Sequence, residues 1–228
     1  MIILFAIQLV LFLISAFFIF LCIRGKIYKY EFEYVWIDKL KTSEVYDTLK
    51  IGDIFLFVGS THGFYESLIL RSWFNHSAIV VKKNGDHIEM AEMTYGGKLC
   101  PGGEKRYNFN YVPVLTRIKH YNGRVFLMRL NKPLDDERIS LVKNFTEKNM
   151  DIKFPSMPIM AKEFICGRSD IYKHCFGYIY KLLEYINMLP KGSEYGVFSC
   201  ARKITKLHEN KLPDGYRYEE IKELVYDI

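Results

Sequence analysis

The alternation of apolar and polar positions divides the chain into an apolar leader, a strand-rich middle and a helical rear. Met1 to Ile23 (MIILFAIQLVLFLISAFFIFLCI) holds no charged residue, and only Gln8 and Ser15 interrupt its apolar side chains. At about 1.5 Å per helical residue such a run reaches roughly 34 Å, enough to cross a bilayer core. In the middle, "KIGDIFLFVG" (50–59) reads as a strand introduced by a turn at Gly52-Asp53. "NHSAIVV" (75–81) and "DHIEMAEM" (86–93) are further strands, and Lys83-Asn84-Gly85 between them marks a hairpin turn. "GRVFLMRL" (123–130) follows a Gly- and Tyr-rich loop that includes Cys100-Pro101-Gly102-Gly103. Then the period changes. Leu134 to Met150 opens with acidic residues and spaces Ile139, Val142 and Phe145 as an amphipathic helix does, before Phe154-Pro155 and Pro158 break it. Cys175 to Leu189 spaces Ile179, Leu182, Leu183 and Ile186 helically and stops before Pro190. "RYEEIKELVYDI" closes the chain as a last amphipathic piece. Strands in the middle with helices behind them predict an α+β domain with a mostly antiparallel sheet. The expected organisation is a transmembrane anchor over 1–23, a juxtamembrane segment over 24–50 and one domain over 51–228.

Charge decides how the leader is read. No basic residue precedes it, which argues for a retained anchor rather than a cleaved signal peptide. Arg24, Lys26 and Lys29 follow it directly, so the positive-inside tendency places the rest of a single-pass protein in the cytosol. Five cysteines without C-x-x-C spacing (Cys22, Cys100, Cys166, Cys175, Cys200) agree with reduced thiols. The net charge of +6 is spread among 26 acidic residues with no block of like charge, which reads as a solvated surface and not a nucleic-acid-binding one.

Three residues can be combined into a site. Cys175 stands at a predicted helix N-terminus, where free N–H groups and the helix dipole favour a thiolate. On an apolar helix it could equally be a packing cysteine. His76 opens a strand, and imidazole is the usual base for a thiol; a surface or capping histidine is the plainer reading. The third residue follows from register. A three-residue loop with Gly85 left-handed pairs Lys82 with Asp86, sets Glu92 opposite His76 and gathers Ala78, Val80, Ile88 and Met90 on one face. A two-residue Asn-Gly turn would instead put Glu89 on the same face as His76. A carboxylate there would fix the imidazole's tautomer. Cys200 is a second candidate nucleophile. Cys166, His174, Cys175 and Cys200 fit no familiar zinc spacing, and no phosphate-binding glycine loop or G-x-S-x-G elbow is present.

"GDIFLF", "NHSAIVV", "IEMAEM", a helix, Phe154-Pro155 and finally "HCFGYIYKLLEYINMLP" (174–190) occur in an order that resembles the circularly permuted NlpC-like branch of the papain-like thiol hydrolases. That branch includes bacterial YiiX/YebB-type proteins and relatives from poxviruses and other large DNA viruses. Cys175, Gly177, Tyr178, Ile179 and Leu189-Pro190 match its cysteine helix, and Phe176 stands where its pattern usually has a small serine. The resemblance implies a permuted papain-like fold, with Cys175 as nucleophile, His76 as general base and Glu92 as the residue orienting it. It implies a cysteine hydrolase or acyltransferase acting on an amide or ester of a peptide, protein or lipid, with no metal or organic cofactor. The alternative is a catalytically inactive, membrane-tethered binding or virion structural module of the same fold.

Overall fold

The computed structural model describes residues 8–13, 15–17, 19–20, 37–59, 74–94, 97–98, 105–106, 109–153, 155, 174–191 and 197–228. Its centre is a seven-stranded sheet built from β1 (Lys39–Lys41), β2 (Ile54–Gly59), β3 (His76–Asn84), β4 (His87–Met93), β7 (Phe109–Pro113), β8 (Gly123–Met128) and β9 (Lys222–Val225). Two short strands, β5 (Gly97–Lys98) and β6 (Lys105–Arg106), pair separately. The order across the large sheet is β1-β9-β8-β2-β3-β4-β7. Neighbours run antiparallel except β1 and β9, which are parallel.

Both faces of the sheet are covered, and this explains why "IFLF" is a continuous apolar run rather than an alternating one. Ile54 and Leu56 face the layer made by α3 (Asp136–Lys148), α4 (Cys175–Tyr185) and α5 (Val197–Thr205). Phe55 and Phe57 face the other layer, made by α1 (Thr42–Val45) with the 3₁₀ turn after it and by α2 (Val114–Lys119). Helix α3 begins where the acidic run predicts, with the Asp135 side chain accepting a hydrogen bond from the Arg138 N–H (2.8 Å). The turn into β2 is tied down by Asp53, wholly buried, whose carboxylate accepts the N–H groups of Lys50 and Leu130 (both 2.8 Å). Gly52 makes that turn with φ +99°, a conformation that favours glycine.

Several expectations are corrected. Among the described residues no helix is long and apolar enough to cross a membrane, so the anchor over 1–23 and the single-pass localisation are not supported. A span needs about 20 consecutive apolar helical residues, and no described helix meets that requirement. The fold is mixed α/β around a seven-stranded sheet, not an α+β domain behind a membrane helix. The described part of 24–50 belongs to that sheet and its core, through β1 and the buried Val45 and Leu49. The closing "amphipathic piece" supplies β9, because Val125–Leu127 on one side and Lys39–Lys41 on the other offer it two ladders of backbone hydrogen bonds. The "loop" before β8 contains β7 and α2.

Candidate active site

The site is assembled at one end of the β3–β4 hairpin. The connection is Gly85-Asp86, with Asn84 paired to His87 and Gly85 at φ +57°. A β-bulge between Val80 and Lys82 then shifts the register by one, so that Val80 faces Met90 and Ala78 faces Glu92. The predicted register is therefore wrong by two residues: Glu92 is not directly opposite His76. It lies on the same face one pair further along, a diagonal that a glutamate can span. The two side chains meet, His76 Nε2 to Glu92 Oε2, at 2.6 Å. Ala78, Val80, Ile88 and Met90 do share one apolar cluster, as the pattern requires. Glu89, the alternative partner, points the other way and pairs with Lys82 (2.9 Å) and His87 (3.1 Å).

The strand start that carries His76 is fixed on both sides. The Asn75 N–H donates to the Phe57 carbonyl (3.0 Å), and the Asn75 side-chain oxygen accepts the Gly59 N–H (3.2 Å). Phe57 is the β2 partner of His76, and the two rings lie 5.3 Å apart. Because His76 is the first residue of its strand, its imidazole can touch groups from both layers. Nε2 is committed to Glu92, and Cys175 is near enough to the same ring to raise its pKa.

Cys175 is the first residue of α4, which packs across β3. Its N-cap, His174, makes no side-chain capping hydrogen bond, so the first-turn N–H groups are not claimed by a cap. Phe176 is turned into the core at 1% exposure, whereas Cys175 keeps 9% and the His76 side chain 15%. Cys200 lies on α5, wholly buried, where loss of solvation pushes its thiol up to about 12. That environment makes it inert and separates it from Cys175. Cys22, Cys100, Cys166, Phe154 and Pro158 lie outside the described residues. Among those described, no group of three or more metal-ligating side chains is gathered.

Electrostatics favour a charged pair. Burial pulls the His76 imidazolium down, but the hydrogen bonds to Cys175 and Glu92 outweigh it and push its pKa up to about 9. Burial alone would raise the Glu92 carboxyl; the Arg117 charge and the His76 hydrogen bond outweigh it and hold the group below its ordinary value. Arg117 is the residue that sequence reasoning missed. It comes from α2, and its Nε donates to the same Glu92 Oε2 at 3.2 Å. The signal was there: Pro113 just ahead of Val114, Arg117 and Ile118 at helical spacing.

Neither a protein-family model nor a curated protein matches the chain. Among solved structures, a neighbour is the metalloprotein YiiX from Escherichia coli O157:H7, 13% identical, covering 78% of this chain and 98% of YiiX with a TM-score of 0.48. A likeness of that size carries no argument about chemistry, and the comparisons hold no evidence of hydrolase or protease activity.

Proposed function

We propose that the chain is a cysteine hydrolase or acyltransferase with the permuted NlpC-like arrangement, the histidine strand preceding the cysteine helix. The observation that carries this reading is the His76–Glu92 hydrogen bond (2.6 Å) with the Cys175 thiol near enough to the same imidazole to raise its pKa, the three residues coming from α4, β3 and β4. A thiolate paired with imidazolium attacks the carbonyl carbon of an amide or ester, and the first-turn N–H of Cys175 offers one donor to the developing oxyanion. The imidazolium gives its proton to the departing amine or alkoxide as the C–N or C–O bond breaks, leaving a thioester. Neutral His76 then takes a proton from water or an acceptor hydroxyl, which attacks the thioester and returns Cys175 as thiolate. Glu92 keeps the ring oriented throughout. The substrates that suit this chemistry are acyl groups of peptides, proteins or lipids.

The test is reactivity at Cys175. Iodoacetamide should label it faster than a free thiol at neutral pH, and His76→Ala should slow that labelling. An activated ester such as p-nitrophenyl acetate should leave an acyl adduct on Cys175 that is lost in Cys175→Ala. Labelling no faster than a free thiol, with no adduct, would leave the second reading, a non-catalytic module of the same fold. The low exposure of Cys175, 9%, is the observation in its favour.

A further inference from the structure

Resting on the thiol-hydrolase reading, we propose that Arg117 is a positioning residue for the site: it holds the buried Glu92 ionised and fixed in place, so that Glu92 can in turn hold the His76 imidazolium against Cys175.

The geometry is specific. Glu92 is 1% exposed and Arg117 is 7% exposed, so neither charge is compensated by bulk water. One carboxylate oxygen, Oε2, accepts from both His76 Nε2 (2.6 Å) and Arg117 Nε (3.2 Å), while Oε1 has no hydrogen-bond partner among the described residues. An oxygen that faces an imidazole and a guanidinium is stabilised as an anion, and protonation of Glu92 would weaken its hold on both. The guanidinium itself is pinned, its central carbon 5.2 Å from the Phe57 ring centroid and 5.0 Å from that of Tyr121. Phe57 also packs on His76, so one ring sets the position of both of Glu92's donors. The charged and titrating groups around the carboxylate are His76 from β3, Arg117 from α2 and, through the imidazole, Cys175 with its neighbour His174 from α4; Tyr121 follows α2, and β7 contributes the uncharged Asn110. Arg117 is thus the cation that makes an ionised carboxylate tenable here.

The experiment follows the Glu92 carboxyl by ¹³C NMR in glutamate-labelled protein, assigned with Glu92→Gln, alongside the pH dependence of Cys175 alkylation. Arg117→Met keeps most of the stem and removes the charge. Its Glu92 midpoint should rise by about one pH unit or more, and the acid limb of Cys175 labelling should move to higher pH by about the same amount while labelling changes little at pH 8. Arg117→Lys should restore most of both. A folded Arg117→Met in which Glu92 titrates as in the wild type overturns the proposal. Should Arg117→Met not fold, Glu92→Gln with Arg117→Met decides: no further loss of labelling beyond Glu92→Gln alone supports the proposal, and an additive loss overturns it. The carboxyl titration needs no turnover, so an unreactive Cys175 would sink the hydrolase reading and leave Arg117's hold on Glu92 separately decided.

Discussion

Replacing Glu92 with glutamine keeps the side chain's shape and removes the charge that faces His76. In the wild type the imidazolium is raised from the ordinary 6.5 to about 9 in spite of burial. The difference, 9 − 6.5 ≈ 2.5 units, is worth roughly 3 kcal/mol at about 1.4 kcal/mol per unit. Little of that is screened, since the His76 side chain is 15% exposed. Cys175 and Glu92 are the two groups that raise it, so Glu92→Gln should lower the His76 midpoint by about one unit or more. The sign for stability follows. A histidine whose folded pKa is raised stabilises the fold fully below its unfolded value, near 6.5, and that contribution fades as pH rises through about 9. Urea unfolding should therefore show the His76-dependent part of the wild type's advantage over Glu92→Gln at pH 6 and not at pH 9.5 or above. The direct assay is an imidazole ¹⁵N titration of His76 in both proteins. A wild-type midpoint near 6.5, or a shift of less than about 0.3 units in Glu92→Gln, would refute the reasoning.

Other consequences are checked more simply. With a thiol pKa of about 12, Cys200 should stay unlabelled by iodoacetamide in the native protein under conditions that modify Cys175, as mapped by mass spectrometry; equal rates would contradict the burial of α5. Gly123→Ala would drive a Cβ into the Val58 carbonyl across the β2–β8 pair, and should cost about 2 to 3 kcal/mol by denaturant titration. Phe176→Ala removes a ring that is 1% exposed and should cost about 3 to 5 kcal/mol, a change in unfolding midpoint that a surface ring would not give. Asp53→Ala strands the N–H groups of Lys50 and Leu130, and a loss of about 3 kcal/mol should appear in the same assay.

What was legible in the chain was local. The apolar strand runs at 54–59 and 76–93 and the helical spacing at 136–148 and 175–185 announce themselves, because local preference is settled by near neighbours along the chain. The pairing of His76 with Glu92 was also within reach, since a hairpin ties the two within 16 residues. Its register was not: the bulge after Val80 has no signature in the letters, yet it sets Glu92 opposite Ala78 instead of His76. The partner survives the error only because a shift by an even number of residues keeps the face.

Three things depended on the tertiary fold. Residues 222–225 read as amphipathic and form a strand, because β8 and β1 leave room between them for a ladder that outweighs local preference. Cys175 and His76 stand 99 positions apart, and only the packing of α4 across β3 brings the thiol to the imidazole. Arg117 stands on a short run whose helical spacing is visible in the sequence, but only where α2 folds back over β4 does it meet a carboxylate that burial would otherwise neutralise. The sequence by itself determined which residues could do thiol chemistry. The fold decided which of them stand within reach of one another, because hydrogen bonds and charges act over a few ångströms of space and not along the chain.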